Sequence, residues 1–382
     1  MGSGRRQVVD IERQTVVNPV NNSQPDANIN NKRPSTESAA LPPSLWGWHT
    51  ILSLAITIAI FAFLATKLDL SRIWQEVSQS NVTLLILGAL SHYATYPLRG
   101  ARWQRCMTHL PATCGQGKFG LLLFFYNAVD NVVPAKLGDV YGAHLARINC
   151  GIRRSAAMGS LVFLRMVDAW IVLVLALPAS WFLFSAKLPK AVFWALIGGG
   201  IIAVAATAIL LTFFFLKKSL PDWLPEKIKD IVRAFQTGMW PRPSEAIPIA
   251  ALTLSIWFLE TLWIFFLVLG FGVTLNGKEA VFLTMIPLLA SGFPLTPSGA
   301  GVVDITLFSC LRVVGIASPL AVSITVVNRF IDYWLHIGLG LLVWALREKL
   351  GIRAIRDVAG EGPHPSVTAD TPASSKRELP KG

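Results

Sequence analysis

Long apolar runs separated by short basic segments set the pattern of this chain. The runs cover about residues 49–66, 82–98, 119–135, 156–184, 191–216, 247–271, 279–294 and 319–346. A helix needs roughly 20 apolar residues to cross the hydrocarbon core of a bilayer. Six of the runs fit that requirement, and two are broken. Leu121–Pro134 carries Asn127, Asp130, Asn131 and a proline, and Ser291–Gly301 holds two prolines and three glycines. Irregular backbone at membrane depth survives only where protein or a wet cavity satisfies it. Both broken runs are therefore expected to be re-entrant hairpins rather than crossings. The predicted fold class is all-α: a polytopic integral membrane protein with six full crossings and two re-entrant hairpins.

Charge adds orientation. Arg5, Arg6, Arg13, Lys32 and Arg33 lie in the N-terminal tail. Arg99, Arg102, Arg105 and Lys118 follow the second run, and Lys136, Arg147, Arg153 and Arg154 follow the first broken one. Lys217, Lys218, Lys227, Lys229, Arg233 and Arg242 lie at 217–242, and Arg347, Lys349, Arg353 and Arg356 after the last run. The loops near 67–81, 185–190 and 272–278 are poorer in Lys and Arg. Lys and Arg concentrate on the cytoplasmic side, so both termini, 136–154 and 217–242 are expected inside, in the plasma membrane. The first hairpin then enters from the cytoplasm and the second from outside.

Composition agrees: 53% of the 382 residues are hydrophobic and 15% charged, against about 25% charged in soluble proteins. The formal charge of +12 suits basic loops near anionic lipid better than nucleic acid. Residues 1–44 and 351–382 are polar and read as disordered cytoplasmic tails, leaving 45–350 as the membrane domain. The stretch 222–240 spaces Trp223, Leu224, Ile228, Ile231, Val232, Phe235 and Trp240 among Lys and Arg, a pattern expected on the inner leaflet. Cys106, Cys114, Cys150 and Cys310 show no CxxC and no paired His. They are read as reduced thiols, with no zinc site and no cofactor.

The chain also repeats itself. Pro134-Ala-Lys-Leu-Gly138, Gly151-Ile152 and Arg165-Met-Val-Asp168-Ala-Trp170 match Pro297-Ser-Gly-Ala-Gly301, Gly315-Ile316 and Arg329-Phe-Ile-Asp332-Tyr-Trp334, in order. The helix at 156–184 starts inside and its partner at 319–346 outside, so the halves, about 48–184 and 191–346, are inverted. Inverted repeats with broken helices at matching positions are a transporter pattern, with the site where the halves meet.

Charges inside membrane helices mark function or a partner. Arg165 and Asp168 share one helix face, as do Arg329 and Asp332. They either hold a phosphate headgroup, which the guanidinium fork suits, or neutralise each other. Glu260 is a coupling carboxylate or a counter-ion to an arginine. His92 and His336 read as hydrogen-bonded core residues. Asn127, Asn131, Lys136, Gly138 and Asp139 crowd one break, and Thr296, Ser298, Gly299, Gly301 and Asp304 the other. Glycine lets backbone amides approach an anion, so both breaks are candidate substrate-binding sites.

At these motifs the sequence resembles the flippase-like family that includes the transmembrane domain of lysylphosphatidylglycerol synthases. Asp130-Asn-Val-Val-Pro-Ala-Lys-Leu-Gly-Asp139 is similar to that family's Asn-Asn-x-x-Pro-x-Arg-x-Gly-Glu, and Gly151-Ile with Arg165-Met-Val-Asp168 to its following Gly and Arg-x-x-Asp helix. Pro294-Leu-Thr-Pro-Ser-Gly-Ala-Gly301 with Asp304 is similar to its Pro-x-Thr-Pro-Gly-Gly-x-Gly-x-x-Glu. Asp130, Lys136, Asp139, Asp304 and Ser298 depart from the usual residues while mostly keeping charge type. The resemblance spans about 48–350 and implies movement of a lipid headgroup between leaflets. The expectation is a flippase or lipid-linked substrate transporter with a membrane lipid as partner, and not an enzyme. The alternatives are a membrane transferase acting on a lipid phosphate, with Asp139 or Asp304 as base, and a scaffold in a surface-glycan or lipid-modification pathway.

Overall fold

The structure, a computed structural model, describes residues 69–111, 114–132, 138–184, 188–216, 223–290 and 301–353. The first apolar run, both tails and the centres of both breaks lie outside these residues. Among the described residues all regular structure is helical. Helix α1 spans Leu70–Gln79, and its N-cap Asp69 accepts the Arg72 amide at 3.1 Å. Helix α2 spans Val82–Cys106, and the Asn81 side chain accepts the Leu84 amide. At 25 residues and 1.5 Å per residue, α2 is about 37 Å long. It continues well past the end of the apolar run at 98, carrying Arg99 and Arg102 inside the helix instead of in a loop.

Four more segments follow: α3 (Gln116–Val132), α4 (Gly138–Cys150), α5 (Arg154–Phe184) and α6 (Lys190–Leu216). Then come α7 (Glu226–Met239) and, after a 3-10 turn at Pro243–Glu245, α8 (Ala246–Gly270). Helices α9 (Gly277–Ala290) and α10 (Val302–Val313) precede one long final helix. That helix comprises α11 (Ser318–Arg329), a π turn (Phe330–Leu335) and α12 (His336–Ala345). Four helical stretches among the described residues are long and apolar enough to cross a membrane: Arg154–Phe184, Val192–Thr212, Pro243–Gly270 and Ser318–Ala345. Trp181, Phe182, Trp194, Ile201 and Val204 stand exposed on two of them. Apolar surface on that scale suits lipid, not water.

Helices α2 and α8 form the most extensive seam. The arms α3 and α4 pack on each other, as do α9 and α10, while α3 also lies against α12 and α9 against α5. Two apolar cores result. One gathers Trp103, Phe119, Leu122, Tyr126 and Leu145. The other gathers Leu267, Phe282, Leu283, Met285 and Leu311. The amphipathic helix α7 lies on α5, and their backbones nearly touch. A Cβ on Gly238 would sit 1.8 Å from the Ala156 carbonyl oxygen, and one on Gly159 2.1 Å from that of Phe235. Trp223, Ile228 and Ile231 are left exposed.

One expectation is corrected here. Cys114, just before α3, and Cys150, the last residue of α4, form a disulfide, their Cα atoms 5.0 Å apart; only Cys106 and Cys310 are free, and both are buried. No local spacing reveals this pairing. The antiparallel packing of α3 on α4 brings together residues 36 apart in sequence.

Candidate functional site

The Arg-x-x-Asp motifs do not close on themselves. Arg165 on α5 reaches back 26 residues to Asp139 on α4, with Nη2 to Oδ1 at 3.0 Å and Nε to Oδ2 at 3.3 Å. Arg329 on α11 reaches back 25 residues to Asp304 on α10, with both hydrogen bonds at 2.7 Å. Each arginine thus clamps the carboxylate on the helix that leaves the preceding break in bidentate geometry; the Arg329 pair has the short distances of a charge-assisted bond, and the Arg165 pair is looser. The pairs differ in exposure. The Arg329 side chain is 5% exposed, that of Arg165 43%. An open guanidinium on an apolar helix keeps donors for a further partner.

The aspartates of the two motifs anchor a different set of contacts. Asp168 accepts both terminal nitrogens of Arg102, at 2.6 and 2.9 Å, and the Trp257 indole N–H at 3.2 Å. Arg102 also donates to the Thr253 hydroxyl. The Arg99 guanidinium lies over the Trp257 ring, 5.6 Å from its centroid, and donates to Glu260 at 2.8 Å. The other Glu260 oxygen meets His92 Nδ1 at 3.0 Å, and His92 Nε2 faces Asp332 on the π turn at 3.5 Å. A line of polar side chains therefore runs along the α2–α8 seam from Asp168 to Asp332. Beside it, Tyr96 meets His336 Nδ1 at 2.9 Å, and Tyr93 donates to the Ile331 carbonyl at 2.8 Å.

The breaks are held from within. The Gly138 amide donates to Asp130 at 3.1 Å, and a Cβ there would lie 2.3 Å from the Asp130 Cβ. The Gly301 amide donates to Asp304 at 2.9 Å, with φ at +84°. The anions these amides meet belong to the chain itself. Asn127 donates to the Leu123 carbonyl of its own helix, and Asn131 lies in the last turn of α3, beside the break. Lys136, Thr296, Ser298 and Gly299 lie outside the described residues.

Sequence reasoning placed Arg99 and Arg102 among cytoplasmic loop charges and set His92 and His336 aside. The structure buries Arg102, His92 and His336 and makes all four part of the polar line or its flank. The spacing His92, Tyr96, Arg99, Trp103 is one helix face, and it was the available signal.

Residues 50–340 match the family described as Lysylphosphatidylglycerol synthase TM region. The chain belongs to this family. Two relatives are UPF0104 membrane proteins of Methanocaldococcus jannaschii. MJ1078 is 27% identical over 223 residues, covering 58% of this chain and 94% of that protein. MJ1595 is 23% identical over 318 residues, covering 76% and 92%. With its apolar helices, this member of the lysylphosphatidylglycerol synthase TM family is a multi-pass membrane protein. The matched span contains both Arg–Asp clamps and the whole polar line.

Proposed function

We propose that the protein moves the phosphate-bearing headgroup of a phospholipid or lipid-linked substrate between leaflets, without chemical change, so that it acts as a flippase and not as an enzyme. The observation that carries this reading is the equivalence of the two motifs in space. Each arginine clamps the aspartate after its own break, and the two remaining aspartates, Asp168 and Asp332, end one polar line between the halves. Two like half-sites joined by a buried polar track suit a substrate that must be met from either side.

The architecture we infer is six crossings, the segment 49–66 and α2 joining the four apolar stretches, with α3–α4 and α9–α10 as re-entrant hairpins of an inverted repeat. Reciprocal packing supports it, since the first arm of each pair rests on the last helix of the other half, α3 on α12 and α9 on α5. Arg165, with its open face, takes the headgroup phosphate, while the acyl chains stay in lipid.

Purified protein in liposomes, given a panel of headgroup-labelled phospholipids and polyprenyl phosphates, tests this. Lipid headgroups should change leaflet accessibility with no new product. A modified lipid on chromatography would favour a transferase, and unchanged accessibility across the panel would sink the flippase.

A further inference from the structure

The centre of the polar line holds a histidine between two carboxylates. His92 is 5% exposed. Its Nδ1 lies 3.0 Å from Glu260, and its buried Nε2 has no hydrogen bond and faces Asp332 Oδ1 at 3.5 Å. An ionised carboxylate only accepts hydrogen bonds, and a neutral imidazole has one N–H. With every group in its ordinary state, one ring nitrogen must therefore turn a lone pair toward an anion. A single added proton removes that conflict.

Charge gives the same answer. On its own helix His92 has Tyr93, Tyr96 and Arg99 for neighbours. Helix α8 brings Glu260 and the Trp263 ring, the π turn brings Asp332, and α12 brings His336. Helix α3 contributes the Phe124 ring and carbonyl, and on α5 Asp168 is held by Arg102. Around His92, Arg99 then faces two carboxylates, leaving one negative charge uncompensated until the imidazole is protonated. A cationic ring therefore meets an anion on each side, Glu260 buried and Asp332 partly open.

The geometry points to His92, Glu260 and Asp332 as a proton-binding site whose proton is the ion coupled to headgroup movement. The coupling half rests on the translocation proposed above; the binding half stands without it. The Asp332 side chain is 43% exposed, so a proton passes from hydronium to its carboxylate as an O–H, and that O–H breaks as the N–H bond at Nε2 forms, leaving water, an ionised Asp332 and a cationic ring. On release the same bond breaks and the proton leaves by Asp332, or the Nδ1 proton passes to Glu260. The π turn strengthens the case, since single π turns inside α-helices are frequent at functional sites. It carries Asp332 and is tied to α2 by Tyr93. Loading draws α2, α8 and the π turn together through one ring; unloading removes the charge attraction between His92 and Asp332 and leaves the Tyr93 hydrogen bond as the tie between α2 and the π turn, which loosens the contact between the two halves there.

Nitrogen-15 NMR of histidine-labelled full-length protein in nanodiscs tests binding on the wild-type chain, with His92→Gln used only to assign the signal. The His92 ring should pass between its neutral and cationic forms as the pH is varied over the range in which the protein stays folded. Glu260→Gln and Asp332→Asn should each lower its midpoint by about one pH unit or more, a tenfold loss of proton affinity. A ring fixed in one protonation state across that range, or an unchanged midpoint in both variants, overturns the site. Liposomes carrying an entrapped pH dye and a fluorescent-headgroup lipid test coupling. One unit of pH gradient should bias the leaflet distribution about tenfold at one proton per headgroup, and H92Q, E260Q and D332N should lose that bias. Lipid that moves with no bias and no dye response overturns coupling. If no lipid moves while the NMR titration holds, the translocation reading and the coupling fall and the proton site stands.

Discussion

At the scale of single residues, exposure separates two arginines that the sequence made equivalent. Arg329 lies in a buried bidentate pair with Asp304. Truncating one partner of such a pair leaves the other charged and uncompensated, at roughly 3–5 kcal/mol. Arg329→Ala should therefore lower the melting temperature in detergent sharply, and Arg329→Met with Asp304→Leu should recover much of it. Arg165 is open on one side. Arg165→Ala should cost less stability than Arg329→Ala yet abolish lipid translocation, and Arg165→Lys should restore little, because an ammonium lacks the planar fork. Equal losses of stability in the two alanine variants would contradict this division. Gly301 makes a third case. Its amide is taken by Asp304 and a Cβ there would meet open space, but its φ of +84° is strained for any other residue. Gly301→Ala should destabilise by about 1–3 kcal/mol while leaving lipid affinity per folded molecule unchanged. A folded variant with weakened affinity would return this amide to the binding site.

Elements show where a sequence reading stops. Apolar run length located the stretches at 154–184, 192–212, 243–270 and 318–345 closely, because burial in lipid depends on composition alone. The end of α2 was misplaced because the apolar run stops at 98, whereas the helix runs to Cys106; arginine is a good helix former, and its charge is met by Glu260 and Asp168 on other helices. Partners that distant leave no local trace, which is also why the Arg165–Asp139 clamp and the Cys114–Cys150 bond were not legible while the motifs themselves were. The amphipathic helix α7 was legible, but not the means of its attachment. Gly238 and Gly159 let its backbone touch α5. Gly238→Val would drive a side chain into the Ala156 carbonyl, and overpacking of this kind costs about 1–3 kcal/mol. Limited proteolysis should then cut the segment around 217–242 faster than in the wild-type protein, with the α5 region still protected. Unchanged cleavage would mean that the crossing is not what holds α7.

On the scale of the whole molecule, two observations pull the orientation in opposite directions. One end carries Arg105 at the close of α2 paired with Glu245 before α8, together with Arg147, Arg153, Arg233 and Arg242. Positive loops face the cytoplasm. The same end holds the Cys114–Cys150 disulfide, a bond that reducing cytosol disfavours. The charge argument draws on many residues in several separate segments and acts during insertion, whereas the disulfide is one pair brought to bonding distance by helix packing. The charge argument therefore predicts this end inside and α1 outside. Exposed positions at each end allow a direct test. Gln75 lies on α1, and Arg242 follows α7. In intact cells an impermeant maleimide should label Gln75→Cys at once and Arg242→Cys only after the membrane is opened. The reverse order would invert the molecule, keep the disulfide outside, and give each hairpin the opposite entrance. Labelling of both positions from outside would require an odd number of crossings between residues 75 and 242 to be abandoned, and with it the inverted repeat. An inverted repeat needs α2 and α5, with α6, to carry the chain across three times between those two positions, returning through a hairpin that does not cross.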